Sequence, residues 1–302
     1  MSWSLKHATN QANKVAIVTG ANVGLGYETT KALAQVGVHI IMACRNPDKA
    51  AAAKTKILKE VPNAQLKLMA LDLNDFASVK AFATAFLEDH NKLDFLINNA
   101  GIMMPPYQKT KDGFESQFGV NYLSHFLLTG LLIETLKSTP NSRVVTLSSA
   151  THKWGDIQFD DYNFEKEYDK RRAYGQSKLA CLMFAYEMDR RFRKHGIECT
   201  SYAAHPGISH TNLGQFMPGF MRGLSRIIGP LFFNSPAAGA LPTLRAALDK
   251  NAIGGTYFGP DGKNEIKGKP VQVDSSNISK DEVIASKLWT LSEQLTGIKY
   301  LD

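Results

Sequence analysis

Short apolar runs alternate with amphipathic stretches along most of the chain. Lys14–Thr19 is a run of mostly β-branched residues that ends in a glycine cluster, the pattern of a strand buried on both faces of a parallel sheet. Leu25, Thr29, Leu33 and Val36 then fall at helical spacing between Gly24 and Val36, and Gly37 follows as it would at a helix C-terminus. Val38–Ala43 predicts a second strand, and Ala50–Val61 a helix stopped by Pro62. Leu66–Leu71, Phe95–Ile97 and Val144–Leu147 predict three more strands, with helices at Phe76–Asp89 and Tyr122–Leu136 between them. Tyr174–His195 predicts a long amphipathic helix, followed by a strand at Glu198–Ala203. Strands separated by helices mean βαβ units, so the expected fold is α/β: a doubly wound, Rossmann-like parallel sheet with helices on both faces. Only Pro206–Asn234 breaks the rhythm.

Length alone, at 302 residues, would give two domains of roughly 150 residues each. No repeat or low-complexity linker divides the chain, so one domain over residues 1–302 is expected, with a flap at about 209–234 and a C-terminal extension at about 260–302. Hydrophobic residues at 44% and charged residues at 21% exclude a disordered, collagenous or coiled-coil chain. Cys44, Cys181 and Cys199 form no CxxC pair, so neither a disulfide framework nor a metal site is expected. The longest apolar stretches, such as Phe126–Ile133, fall far short of the roughly 18 residues of a membrane helix. The first residues have no apolar signal core. A cytoplasmic protein without a stable membrane anchor is the expectation. The net charge of +7 raises nucleic acid as a partner, but the basic residues are spread from Lys6 to Lys299 without an arginine-rich arm.

Chemistry concentrates where the predicted strands end. Thr19-Gly20-Ala21-Asn22-Val23-Gly24-Leu25-Gly26 lies between a strand and a helix. Glycines there let the backbone turn sharply towards a pyrophosphate, and the helix N-terminus offers unpaired N–H groups. The spacing is GxxxGxG rather than GxGxxG, which places Asn22 and Val23 towards the phosphates. After the second strand the chain reads Ala43-Cys44-Arg45-Asn46, with no acid before Asp48. An acid there would accept from the ribose 2′-hydroxyl of NAD, whereas Arg45 suits the 2′-phosphate of NADP. Tyr174 and Lys178 stand four apart on a helix, where an ammonium lowers the pKa of a phenol for proton transfer. That pair alone is not specific, since Tyr27/Lys31, Tyr107/Lys111 and Tyr162/Lys166 match it too.

The ordered set of Thr19–Gly26, Asn98-Asn99-Ala100-Gly101, Ser148-Ser149 and Tyr174-Gly-Gln-Ser-Lys178 resembles the short-chain dehydrogenase/reductase family over Lys14 to about Phe258. The resemblance implies that Tyr174 is the general acid/base and that Lys178 lowers its pKa and holds the nicotinamide ribose. It implies that Ser149 bonds the substrate oxygen, with Ser148 as the alternative hydroxyl. Asn121 resembles the asparagine that holds a water in a proton relay, although a helix cap would also account for it. Asn99, Ala100 and Gly101 would approach the cofactor, together with Gly20, Asn22, Val23, Gly24, Leu25, Gly26, Arg45 and Asn46. Asp72 and Leu73 would receive the adenine, and Pro206, Gly207 and Ile208 would flank the nicotinamide amide. The 24 residues between Ser149 and Tyr174, with Thr-Gly-Ala-Asn, Ala-Cys-Arg-Asn and His-Pro-Gly, resemble the retinol dehydrogenase, WW-domain oxidoreductase and protochlorophyllide reductase branch. That branch prefers NADP(H) over NAD(H) and handles bulky apolar carbonyls or alcohols. Leu213–Phe233, rich in Phe, Met, Leu and Ile among glycines and prolines, occupies the place of the family's substrate flap and suits a hydrophobic small molecule. The expected activity is therefore an NADP(H)-dependent oxidoreductase, with a non-catalytic dinucleotide sensor on the same fold as the alternative. Nucleic acid is no longer the leading partner, and a homo-oligomer stays open.

Overall fold

The computed structural model describes residues 3–8, 10–207 and 234–302. Its sheet has eight strands in the order β3-β2-β1-β4-β5-β6-β7-β8. These are β1 (Val15–Thr19), β2 (His39–Cys44), β3 (Leu66–Ala70), β4 (Phe95–Asn98), β5 (Arg143–Leu147), β6 (Thr200–Ala204), β7 (Tyr257–Pro260) and β8 (Pro270–Gln272). All neighbours pair in parallel except β7 and β8, which are antiparallel. The order reverses between β1 and β4, and a crevice at such a point, beyond the carboxyl ends of the strands, is where α/β sheets bind ligands.

The six strands expected from the sequence are present within a residue or two of their predicted bounds. Both faces are covered, and alternate residues serve opposite cores. Ile17, Ile41 and Leu96 pack with Phe86, Phe126 and Trp289 on one face, while Ala16, Ile40 and Ile97 pack with Leu33, Ile57 and Leu244 on the other. The helices are α1 (Gly24–Gln35), α2 (Pro47–Glu60), α3 (Phe76–Asp89), α4 (Ser116–Phe118), α5 (Ser124–Leu131), α6 (Ile133–Ser138), α7 (Lys170–Lys194), α8 (Pro236–Leu248) and α9 (Glu282–Thr296). Several start on side-chain caps. Asn46 accepts from the Lys49 amide ahead of α2, Asp75 from Ala77 ahead of α3, and Asp169 from Arg171 and Arg172 ahead of α7.

Two helices differ from the expectation. The single helix predicted at Tyr122–Leu136 begins earlier and is broken: α4 runs into a π-helical turn at Gly119–Leu123, α5 follows, and the chain resets at Leu132 before α6. Apolar periodicity could not show this, because nearly every residue of the stretch is buried on all sides. The helix predicted to start at Tyr174 begins at Lys170, with Asp169 as cap, so Tyr174 sits in its second turn. The flap expected at about 209–234 falls, apart from Asn234, outside the described residues.

Much of the expected C-terminal extension is ordered structure. It supplies the antiparallel strand β8 and the helix α9, which is capped by Asp281 and closed by left-handed Gly297. Trp289 anchors this helix, edge-on to Phe126 at 5.0 Å, against Tyr300 at 4.9 Å and under the Arg191 guanidinium at 4.4 Å. Its indole N–H donates to Glu293 at 3.0 Å. Trp289→Ala is expected to lower the unfolding free energy by about 3–5 kcal/mol, read by urea denaturation; a loss below about 1 kcal/mol would show that the extension is not part of the core.

Candidate active site

Backbone geometry at the end of β1 demands glycine. Gly20 and Gly24 have φ of 67° and 57°, a region that side chains disfavour. A Cβ on Gly26 would lie 2.2 Å from the Gly20 carbonyl oxygen and 2.6 Å from Asn99 Nδ2. The turn thus lets α1 begin directly over the strand end. Val23 occupies its N-cap position and offers no side-chain acceptor, leaving the first amide N–H groups for an anion. Val23 is exposed, Asn22 half-buried and Leu25 buried. Cys44, at the end of β2, turns its sulfur to the amides of Ala21 and Asn22, and burial pushes its thiol up to about 11. Sequence reasoning weighed this cysteine only as a disulfide or metal ligand.

Thr19 ties this turn to the next loop. Its hydroxyl accepts from the amides of Asn99 and Ala100, each at 2.9 Å, and Asn99 Nδ2 donates to its carbonyl at 2.7 Å. The same hydroxyl lies 3.0 Å from His125 Nε2, while His125 Nδ1 meets the Asn121 carbonyl at 2.9 Å. A carbonyl only accepts, so the ring proton sits on Nδ1 and Nε2 accepts from Thr19. His125 was not singled out from the sequence. Its one signal there is a histidine at the head of the apolar run Phe126–Leu128.

Asn121 lies in the π turn, a distortion common at functional sites. Its Oδ1 accepts from the Ile102 amide at 2.7 Å, and its Nδ2 donates to the Ile102 carbonyl at 3.0 Å and to Ser177 Oγ at 3.0 Å. The side chain therefore clamps the backbone that follows Gly101, and it caps no helix. Its main-chain carbonyl also accepts from Cys181 Sγ at 3.2 Å. A Cβ on Gly101 would stand 3.0 Å from Asn121 Oδ1 and 3.6 Å from Lys178 Nζ, so a glycine keeps this approach open.

The two serines at the end of β5 face opposite ways. Ser148 is buried, and its hydroxyl donates to the Lys178 carbonyl at 2.7 Å. Ser149 is half-buried, accepts from the Thr151 amide at 3.2 Å and faces the Tyr174 phenol. Of the four tyrosine–lysine pairs, only Tyr174 and Lys178 are both buried at this edge of the sheet. Lys31 is taken by Glu28 and Glu60 on α1, and Lys111 by Asp75. Tyr162 packs against Phe118, and Lys166 is exposed. Lys178 Nζ stands 5.9 Å from the Tyr174 ring centre and donates to the Leu147 carbonyl at 3.0 Å. Burial pushes the Tyr174 phenol well above its ordinary range, and the Ser149 hydroxyl draws it partly back. Burial pushes Lys178 down. Both groups are thus driven towards their neutral forms.

The remaining sequence-predicted positions line the same edge. Arg45 is exposed and makes no ion pair or hydrogen bond among the described residues, whereas the Asn46 side chain is engaged in capping α2. Asp72 Oδ1 accepts from the Asn74 amide at 3.0 Å, and the Leu73 carbonyl accepts from Ser124 at 2.6 Å. Pro206 and Gly207 follow β6, and Ile208 lies outside the described residues. The long segment before Tyr174 is pinned to α7 and to the loop after Gly101. Gln176 holds the Gln158 amide and the Tyr162 carbonyl, and Tyr168 donates to the Pro105 carbonyl. The uncapped α1 terminus, the glycine turn and the gap at Gly101 fit a dinucleotide laid across the crevice between β1 and β4.

The short chain dehydrogenase family model matches residues 14–218. The chain belongs to this family, whose members are oxidoreductases that move a hydride to or from a nicotinamide dinucleotide. It is 39% identical over 302 residues to human retinol dehydrogenase 14, covering 94% of this chain and 87% of that one. It is 42% identical over 291 residues to mouse retinol dehydrogenase 12, covering 95% and 87%. Among solved structures, an uncharacterised protein from Mycobacterium paratuberculosis superposes with a TM-score of 0.83 at 38% identity, over 99% of both chains. A Shigella flexneri short chain dehydrogenase complexed with NADP shares the fold, with a TM-score of 0.65 at 19% identity over 83% of this chain and 98% of that one. No helix among the described residues is long and apolar enough to cross a membrane.

The histidine under the glycine turn gives a pH signature. Burial pushes His125 down to about 4, below its unfolded value of about 6.5. The unfolded chain therefore takes up the proton first, and stability falls as pH drops from about 6.5 towards 4. Denaturant midpoints measured across this window should fall more steeply for the natural chain than for His125→Gln; parallel profiles would contradict the buried neutral ring.

Proposed function

We propose that this chain is an NADP(H)-dependent oxidoreductase acting on a hydrophobic carbonyl/alcohol pair of retinal-, steroid- or aldehyde-like character. The observation that carries the proposal is the grouping of Ser149 with the buried Tyr174 and Lys178, whose ammonium nitrogen stands 5.9 Å from the Tyr174 ring centre, at the carboxyl edge of the sheet. A bound nicotinamide dinucleotide supplies the hydride. In the reducing direction, Ser149 donates a hydrogen bond to the substrate carbonyl oxygen and holds it beside the Tyr174 hydroxyl. Tyr174 gives its proton to that oxygen as the carbonyl becomes an alcohol, leaving a phenolate. Lys178, one helical turn on, stabilises the phenolate when its ammonium is charged. Oxidation runs the same steps backwards, with the phenolate taking the alcohol proton.

Arg45 supports NADP(H). It stands exposed and unengaged at the end of β2, where an acid would instead have favoured NAD. The Asn46 side chain contributes less, since it is committed to α2. Two observations favour an apolar substrate. Met103 and Met104 stand half-buried just beyond Gly101, and methionine suits adaptable apolar contacts. The segment Leu213–Phe233 is apolar by composition, and the similar mammalian proteins carry retinol in their names.

Tyr174→Phe should lower kcat by about a hundredfold or more while leaving NADPH affinity within about threefold, as measured by NADPH consumption with a medium-chain aldehyde and by fluorescence titration. A variant with full turnover overturns the proton-transfer role, and a natural chain that binds NADPH without turnover favours the sensor reading. Arg45→Asp should raise the KM for NADPH about 10- to 100-fold and leave that for NADH nearly unchanged. Equal effects on both would remove the argument for the 2′-phosphate.

A further inference from the structure

A charged cluster from the C-terminal part of the chain reaches the edge of the site. His205 follows β6 and its side chain is fully buried. Its Nδ1 accepts from the Gly207 amide at 3.2 Å. A ring that accepts at Nδ1 carries its proton on Nε2. That nitrogen faces Glu265 Oε2 at 2.8 Å, a close contact without the alignment of an ideal hydrogen bond. The other oxygen, Glu265 Oε1, takes the Lys153 ammonium at 2.9 Å. Lys153 belongs to the 3-10 turn Ala150–Trp154, whose N-cap is Ser149.

Backbone strain shows that this carboxylate is held in place. Asn264 and Glu265 have φ of 55° and 57°, two successive left-handed residues that are not glycine. A left-handed residue other than glycine persists only where its surroundings over-determine it. Glycines make room for the contact. A Cβ on Gly259 would lie 2.1 Å from His205 Nε2, and one on Gly207 would lie 2.2 Å from the Ile266 carbonyl oxygen. Gly207 itself has a φ of 69°. The strap Asp261–Lys269, which carries Glu265, also reaches Asn234, whose Oδ1 accepts from the Gly268 amide at 3.4 Å and whose Nδ2 donates to the Pro206 carbonyl at 3.0 Å. Besides Lys153 and His205, the titratable groups near Glu265 are Tyr257 and His152. His205 and Lys153 hold the Glu265 carboxyl at about 2, so it is ionised throughout the neutral range.

We infer that Glu265 is a positioning residue of this enzyme. Through His205 it fixes the Pro206–Gly207 turn, and through Lys153 it fixes the turn that starts at Ser149. One carboxylate thereby sets the spacing between the cofactor-side and substrate-side walls. The inference rests on the reading of the preceding subsection, in which Pro206–Gly207 flanks the dinucleotide and Ser149 holds the substrate oxygen.

The test uses the full chain as Glu265→Ala, Glu265→Gln and Lys153→Met, with three readouts: hydrogen exchange of the Gly207 amide without cofactor, the Kd for NADPH, and kcat and KM with a medium-chain aldehyde. Glu265→Ala should speed Gly207 exchange about tenfold and lower kcat/KM about 10- to 100-fold, with a raised NADPH Kd. Glu265→Gln keeps an oxygen towards His205 and should restore Gly207 protection and NADPH affinity to within about threefold, while kcat stays reduced. Lys153→Met should reproduce that kcat loss at unaltered NADPH affinity. A merely structural role would lower the melting temperature of all three variants and leave these parameters at natural values in the folded protein, which overturns the inference. Should Glu265→Ala fail to fold, the split between the other two variants decides it. A natural chain that neither binds NADPH nor turns over, yet loses Gly207 protection in Glu265→Ala, would sink the cofactor reading and keep the tether from Glu265 to Gly207.

Discussion

The hydroxyl of Thr19 is the point on which the site depends. It accepts two amides from the loop after β4 and donates to His125, so its hydrogen-bonding capacity is filled by two other parts of the chain at once. One oxygen thereby joins the glycine turn, the Asn99–Gly101 loop and the π turn bearing Asn121. A buried polar network of this kind is strong only when every member is satisfied, and here the alcohol, both ring nitrogens and both amides are. The valley between β1 and β4 is shaped before any ligand enters it.

Electrostatics in the site run against the groups that do its chemistry. Tyr174 is pushed up and Lys178 down by the same burial that shields them from water. Neither reaches its charged form cheaply in this setting; the negative charges of a bound dinucleotide would favour the Lys178 ammonium, and a charged Lys178 in turn favours the Tyr174 phenolate. The overall charge of +7 takes on a narrower meaning beside this. Arg45 stands exposed and unpaired among the described residues, while other basic residues are held in ion pairs with acids, such as Lys137 with Glu134 and Lys31 with Glu60.

The strands from β1 to β6 were legible because each is short, apolar and followed by a turn signal. The glycine turn, Ser148-Ser149 and Tyr174/Lys178 were legible because their order along the chain mirrors the order of strand ends. What stayed hidden has physical causes. The directions of the two serine side chains have no sequence signal; Ser148 turns inward and donates to the Lys178 carbonyl. His125 reaches the Thr19 hydroxyl and Cys44 the amides of Ala21 and Asn22, partners distant in sequence that leave no local pattern. The strap at Asp261–Lys269 carries no apolar periodicity at all, and its importance appears only through the left-handed pair Asn264–Glu265 and the glycines packed against it.

The π turn at Gly119–Leu123 has a consequence for how this family member tolerates insertions and deletions. A π turn amounts to one residue added to an α-helix. Removing a single residue there would restore regular winding and rotate everything beyond it by about 100°. Phe126 would swing away from Phe184 and Trp289, and His125 would leave Thr19. The extra residue therefore works as a phase shifter. It lets one helix present its polar side to the crevice and, a single turn later, its aromatic side to the core.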